Sequence, residues 1–378
     1  MSLQTPRALT EEDADQILEA VEGPSSPSVP PPSGERPSSP KPKAKSPPPK
    51  VRKKPKAVAA AKPARVIGGK YQIVRQLGRG GMGVVYEALH IGTGRRVALK
   101  EIIGSDLAKE RKLVERFHRE ARATGSIDTR HIAMVLDTGN DPDTGNPFLV
   151  MELLAGEDVQ QLIDRVGPLG EALALKIVAQ ACTGLGRAHA AGVIHRDIKP
   201  ANLFLARRDE ELVVTLLDFG VARVKQELTT ESFTLTSTGL MLGTPLYMSP
   251  EQVVGAKDLD HRTDLWALGV VLYELLAGTT PYTDHETLGA LLVAICSKPA
   301  KPLRELVPAA SAATEAITAR ALALDPTKRY QHADELLADL RAAIGPASLA
   351  IDHSMLPGSL KGLKSNEAFA ATSPSKPD

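Results

Sequence analysis

His195-Arg196-Asp197-Ile198-Lys199-Pro200-Ala201-Asn202 is followed, twenty-one residues after Asp197, by Asp218-Phe219-Gly220, which closes the apolar run from Val213 to Leu217. Asp197 is set to orient a hydroxyl nucleophile and take its proton, and Asn202 is an oxygen ligand suited to Mg²⁺. Lys199, two residues past the base, can neutralise a phosphoryl group in flight. Asp218 ends a buried strand before a glycine that lets the chain turn sharply, and reads as a second Mg²⁺ ligand. His195 reads as structural rather than as a base or metal ligand, because no other His stands at ligand spacing from it.

Upstream, Gly78, Gly80 and Gly83 form G-x-G-x-x-G. In a dinucleotide-binding fold such glycines end a strand and open a helix, with an acidic residue about 20 positions on. Here Val84-Val85-Tyr86 continues as a strand, and the residue at that distance is Lys100. The context selects a glycine turn between two strands, lying over nucleotide phosphates, with Lys100 as their point charge.

With Val97-Ala98-Leu99-Lys100 and Ser249-Pro250-Glu251 added, five motifs stand in the order and spacing of the eukaryotic-like protein kinase family, which the chain resembles over roughly residues 70 to 345. Gly78-Arg79-Gly80-Gly81-Met82-Gly83-Val84-Val85-Tyr86 and Gly243-Thr244-Pro245-Leu246-Tyr247-Met248-Ser249-Pro250-Glu251-Gln252 are most similar to the bacterial Ser/Thr kinases of that family. The resemblance implies an α+β, bilobal protein-kinase fold, with a small β-rich N-lobe holding one helix and a larger helical C-lobe. It implies transfer of the γ-phosphoryl group of ATP to Ser/Thr hydroxyls of proteins in signalling, with Mg²⁺, or Mn²⁺, as the metal.

By the same resemblance, Asp197, Lys199, Lys100 and Glu120 form the catalytic set, Glu120 pairing with Lys100, and Asn202 with Asp218 holds the metal. ATP would lie against Leu77, Gly78, Gly80, Gly81, Gly83, Val85, Ala98, Lys100, Met151, Glu152 and Leu154. Met151 guards the back of the adenine pocket, and Glu152 to Leu154 form the hinge. Asp264 would brace the catalytic loop and Arg329 would pair with Glu251. Thr236 and Thr238, eight and six residues before Thr244, match the positions that bacterial relatives phosphorylate on themselves, a step that calls for a kinase homodimer. Lys199 and Thr244 favour Ser/Thr over Tyr as acceptor. A catalytically silent scaffold of this fold would be expected to lose Lys100, Asp197, Asn202 or Asp218, and all four are present. Asp128-Thr129-Arg130-His131-Ile132 departs from the family's usual His-Pro-Asn turn, and Ser249 replaces its usual Ala.

Outward from these motifs the pattern changes type. Tyr71 to Leu77, Val84 to His90, Arg96 to Ile102, Met134 to Asp137 and Phe148 to Glu152 read as strands, interrupted by one helix, Leu107 to Ser126. Beyond Leu153, helices are expected at Glu157 to Val166, Glu171 to Ala190, Asp264 to Ala277, Glu286 to Cys296, Thr314 to Ala323 and Ala333 to Ile344. Strands first and helices after give a mixed chain in two lobes, with the N-lobe at 66–152 and the C-lobe at 153–345. Residues 346–378 are expected to form a flexible C-terminal tail.

Forty-six Lys and Arg nearly balance forty-five Asp and Glu, but residues 1–65 hold 12 basic and 7 acidic side chains. From Arg36 to Arg65 there are 11 basic residues, no acidic one and no aromatic, so this stretch cannot bury enough surface to offset the entropy of ordering. Residues 1–65 therefore read as a disordered Pro/Ser/Lys-rich extension whose deletion leaves the folded unit intact. Within it, Thr10 to Glu22 has the pattern of a short amphipathic helix, marginal on its own. Without aromatic platforms or a base-reading fold, sequence-specific nucleic-acid binding is not expected. No membrane span is expected, since the longest apolar run, Leu265 to Leu276, is broken by Glu274. Acidic residues stand where a signal peptide needs an apolar core, and only two cysteines occur, Cys182 and Cys296, which together point to the cytoplasm.

Overall fold

Alternating apolar residues in the first half of the chain close into one antiparallel sheet. The computed structural model describes residues 65–357 other than 81–82, 104–110, 210, 220–244, 257, 284 and 286. The expected Thr10 to Glu22 helix, Gly81, and the threonines Thr236, Thr238 and Thr244 lie outside the described residues. The strands are β1 (Val66–Ile67), β2 (Tyr71–Gly80), β3 (Gly83–His90), β4 (Arg96–Ile102), β5 (Val135–Asn140) and β6 (Pro147–Glu152), in the sheet order β1-β2-β3-β4-β6-β5. Beyond its exposed first residue, β4 is buried on both faces. Ala98 and Ile102 pack with Leu113, Phe117 and Ala121 of helix α1 (Arg111–Gly125), while Val97 and Leu99 pack with Ile67, Tyr71, Phe148 and Val150. Burying a large apolar side chain contributes about 1.5–3 kcal/mol, so this double burial fixes β4, the strand that carries Lys100.

The second lobe is helical. β7 (Gly156–Asp158), α2 (Val159–Val166) and α3 (Glu171–Ala190) precede β8 (Leu203–Arg208) and β9 (Glu211–Leu216). Then come α4 (Pro250–Val253), α5 (Arg262–Ala277), α6 (Leu288–Ser297), α7 (Leu303–Leu306), α8 (Ala312–Ala321), α9 (Ala333–Ile344) and β10 (Ile351–Asp352). Helices α3 and α5 are buried around most of their circumference, the mark of core helices. Trp266, Leu268, Val270 and Val271 of α5 lie at the centre of the larger core. Among the described residues, no helix is long and apolar enough to cross a membrane.

Three expectations need correcting. The helix expected from Glu157 begins at Val159, because residues 156–158 pair with β8 as a strand and Asp158 caps the helix by accepting from Gln161 N. The tail expected from residue 346 is docked as far as Pro357. Ile351 and Asp352 extend the edge of β9, Ile351 and Leu356 are buried, and the Leu349 and Ala350 carbonyls accept from Gln180 Nε2 and Lys176 Nζ at 2.8 Å each. Edge pairing supplies order that the segment's own pattern lacks. Arg65, assigned to the extension, belongs to the fold: its Nη2 lies 2.6 Å from Oε1 of the fully buried Glu101. A deletion meant to spare the folded unit should therefore retain Arg65.

The loop that departs from the family turn is tied to β9. Leu216 N donates to His131 O, Ala133 N donates to Leu216 O, and the His131 ring meets Val214 O at 2.9 Å.

Candidate active site

Gly83 shows why the turn between β2 and β3 must be built from glycine. A Cβ there would sit 2.0 Å from Glu101 O, so only a hydrogen lets β3 lie this close to β4. The register sets Gly80 opposite Gly83, Gly78 opposite Val85, and Val85 opposite Lys100. On the other side of β4, Ala98 pairs with Met151. Leu77, Ala98, Met151 and Leu154 are all buried apolar groups. Strand pairing thus links the residues expected to hold a nucleotide from the glycine turn across β4 to the hinge, Gly81 excepted as outside the described residues.

The loop after α3 is suspended from one buried carboxylate. Asp264 Oδ2 accepts from His195 N and Oδ1 from Arg196 N, at 2.8 and 2.7 Å, and His189 Nε2 donates to Oδ2 at 2.8 Å. Burial by itself would raise this carboxyl, yet the hydrogen bonds from His189 and the backbone hold it below the usual carboxylate range. Arg196 adopts a φ of 66°, a left-handed conformation that these bonds enforce, and its carbonyl accepts from Gln252 Nε2 at 3.0 Å. His195 is structural as expected: it is buried and its Nε2 donates to Leu217 O at 2.7 Å.

The loop delivers Asp197, Lys199 and Asn202 to one place. Lys199 Nζ lies 3.2 and 3.0 Å from the two Asp197 carboxylate oxygens. Asn202 Nδ2 donates to Asp197 O at 2.6 Å and reaches Oδ2 at 3.3 Å, leaving its Oδ1 as the oxygen with lone pairs for a cation. Leu217 N donates to Asn202 O at 2.9 Å, which sets Asp218 beside this loop. Asp218 takes a φ of 61°, and the ring of Phe219 meets His195 edge-on at 4.4 Å between centroids.

Lys100 Nζ pairs with Asp218 Oδ2 at 2.7 Å. Among the ion pairs of the described residues, Lys100 is joined to Asp218 and not to Glu120: the left-handed turn at Asp218 brings its carboxylate to the ammonium on β4. The structure therefore joins Lys100 to Asp218 directly, the strand end before Asp218 to Asn202 through the Leu217 N–Asn202 O bond, and Asn202 to Asp197 through its side-chain amide.

Asp218 and Asn202 offer two hard oxygen donors. Among the described residues no three His, Cys, Asp or Glu side chains gather into a self-sufficient metal cage. A donor set of few protein oxygens suits Mg²⁺, which keeps waters and takes substrate phosphates as its other ligands.

Just past the hinge, burial pushes the Asp158 carboxyl up to about 6, above its ordinary 3.8, despite the N–H bonds it accepts. A folded-state pKa above the unfolded one means the fold binds a proton between those values. Asp158 then contributes most below about pH 4, and that contribution is lost as pH rises through about 6. Asp158→Asn keeps the capping oxygen and removes the buried charge. It is expected to melt several degrees above the wild type at pH 7.5, the difference shrinking toward pH 4; equal melting curves across that range would refute it.

Sequence reading alone did not single out three groups. His189 anchors Asp264. Gln180 joins Val214 N to Leu349 O through the two ends of its amide. Arg208 reaches the hinge residue Glu152 with Nη2, at 3.0 and 2.9 Å from the two carboxylate oxygens. The only local sign of the last is a pair of arginines ending an otherwise apolar strand, Leu203-Phe204-Leu205-Ala206-Arg207-Arg208.

The family model described as "Protein kinase domain" matches residues 71–339. Serine/threonine-protein kinase Pkn1 of Myxococcus xanthus is 42% identical over 263 residues, covering 69% of this chain and 36% of that protein. Serine/threonine-protein kinase pkn3 of the same organism is 39% identical over 280 residues, covering 74% of this chain and 50% of that protein. Among solved structures, the Mycobacterium tuberculosis PknI kinase domain is similar with a TM-score of 0.58 and 29% identity, covering 75% of this chain and all of that one. The chain thus spans about a third to a half of the length of these two curated relatives.

Proposed function

The chain belongs to the protein kinase family, and from that premise we propose that it transfers the γ-phosphoryl group of ATP to serine and threonine hydroxyls of proteins. The observation that carries this reading is the convergence of Lys100, Asp197, Asn202 and Asp218, linked by the 2.7 Å Lys100–Asp218 pair and the 2.6 Å bond from Asn202 to Asp197 O.

Each residue has a chemical part. The acceptor oxygen bonds to the γ-phosphorus, the bond from that phosphorus to the bridging oxygen breaks, and ADP leaves. The hydroxyl proton passes to Asp197, which the Asp264-suspended loop holds in place. Lys199, beside Asp197, offsets the charge that develops on the transferred group. Lys100 supplies a cation to the phosphates, with Glu120 on the adjoining helix as its partner when the nucleotide is engaged. Leu77, Gly78, Gly80, Gly81, Gly83, Val85, Ala98, Met151, Glu152 and Leu154 form the nucleotide's walls. Asp218 and Asn202 would hold Mg²⁺ or Mn²⁺, which supplies charge neutralisation at the phosphates. Excess chelator should abolish transfer, and Mg²⁺ should restore it; undiminished transfer under chelation would remove the two metal ligands from the account.

Protein substrates and a transient homodimer, in which one copy phosphorylates the other, are the partners proposed. Thr236 and Thr238 are the proposed acceptors. A phosphate there adds about −1.5 to −2 charge to the segment between Gly220 and Ser249, for which Arg196, immediately before Asp197, is a natural cationic partner. Mapping of autophosphorylation should find Thr236 or Thr238, and changing both to Ala should lower transfer to other proteins while ATP binding persists. Full activity in the double variant would show that the loop is ordered without phosphate. A cytoplasmic setting accords with two free cysteines whose thiols burial pushes up, Cys296 to about 11.

A further inference from the structure

The hinge is tied to the C-lobe at both ends. At its lower end, Arg207 N donates to Ala155 O at 2.8 Å and Gly156 pairs with Ala206. Gly156 lies so close to β8 that a Cβ on it would stand 2.0 Å from Leu205 O. At its upper end the link is a side chain. Glu152, the last residue of β6, receives Arg208 Nη2 on both carboxylate oxygens, while its Oε1 also accepts from Met134 N at 3.1 Å. The Glu152 backbone N donates back to Met134 O at 3.0 Å. One carboxylate therefore joins the approach to β5, the hinge and the end of β8.

We propose that Arg208 is a positioning residue for the nucleotide site: by fixing Glu152 from the C-lobe, it sets the hinge backbone at 152–154 against which the adenine lies. This rests on the ATP-dependent reading above. The Glu152 side chain is 13% exposed and that of Arg208 34%. Unlike a fully buried cation, Arg208 is a third exposed, so water can enter its place and solvate the carboxylate when it is removed, and the loss falls on geometry more than on stability. Without Arg208, a nearly buried carboxylate loses its cation. It must then draw in water or swing outward, releasing Met134 N and loosening the hinge strand. Binding of the nucleotide in ground state and transition state alike then weakens, which raises KM and leaves kcat in place.

The test compares full-length wild type, Arg208→Ala, Arg208→Lys and a control, Arg130→Ala, which removes the solvent-exposed pair with Glu211. The readouts are KM and kcat for ATP, affinity for a fluorescent ATP analogue, and melting temperature. Arg208→Ala is expected to raise KM and the analogue's Kd about five- to tenfold, with kcat within twofold and melting within about 2 °C of wild type. Because both bonds come from one nitrogen, Arg208→Lys should recover at least half of the loss, and Arg130→Ala should match wild type. A wild type that binds and turns over ATP beside an Arg208→Ala protein with unchanged KM overturns the positioning role. So does a variant in which kcat, KM and melting temperature all fall away together, which marks a merely structural residue. A wild type that neither binds nor uses ATP overturns the underlying reading instead.

Discussion

Asp197→Asn should lower kcat by about 10²- to 10⁴-fold, the range for removing a positioned general base, while leaving the affinity for ATP within a few-fold of wild type. The amide is nearly isosteric and can still receive Lys199 on its oxygen, so the loop hung from Asp264 should keep its shape. What is lost is the group that takes the hydroxyl proton as the new bond forms. Ground-state binding of the nucleotide depends on other residues, so the loss should fall on turnover. Steady-state kinetics together with equilibrium binding of an ATP analogue separate the two. Wild-type turnover in Asp197→Asn would remove Asp197 from its proposed role.

Arg329→Ala should destabilise the C-lobe by about 3–5 kcal/mol, the cost of stranding a buried partner. The guanidinium is fully buried. It donates to both Glu251 oxygens at 2.7 and 3.0 Å, to Ala323 O at 2.7 Å and to Leu324 O at 3.0 Å, and lies 4.7 Å from the centre of the Trp266 ring. One side chain thus ties α4, the end of α8 and the core of α5 together. Truncation leaves a carboxylate and two carbonyls without these donors, plus a cavity beside Trp266. At about 2–4 °C per kcal/mol for chains of this scale, melting should fall by roughly 10 °C. Arg329→Lys should rescue little, since an ammonium cannot reproduce the planar fork. A drop of less than about 2 °C in Arg329→Ala would mean that this junction does not hold the lobe together.

Much of the fold is legible in local pattern because local pattern is what builds it. β4 at Arg96–Ile102, α3 at Glu171–Ala190 and α9 at Ala333–Ile344 have the bounds their periodicity predicts. Their apolar residues repeat cleanly, and the turns beyond α3 and α9 carry glycines at left-handed φ, Gly192 and Gly345. Helix α2 starts two residues later than the sequence pattern predicts, because residues 156–158 pair with β8 and the Asp158 side chain favours the cap over the helix interior. Residues 346–357 look unstructured because their order is borrowed from the edge of β9. The pairing of Lys100 with Asp218 is illegible for a different reason. Motif order shows that both belong to one site, but which carboxylate the ammonium meets depends on a backbone turn at φ 61° that no spacing reveals. Arg208 and Glu152 stand 56 residues apart and meet only because β8 returns beneath the hinge.

The expected arrangement of Asp264 under the catalytic loop, and of Arg329 with Glu251, does form. Those contacts join backbone and buried charge, and they hold the loop that presents Asp197, Lys199 and Asn202. They describe a scaffold built to keep a carboxylate in place. The chemistry assigned to that carboxylate is tested most directly by incubating the purified full chain with γ-labelled ATP and Mg²⁺, with a generic basic protein as acceptor. The account predicts label on serine and threonine of the acceptor, at a rate at least a hundredfold above that of Asp197→Asn. A wild-type protein that binds ATP yet transfers no more label than Asp197→Asn would contradict it.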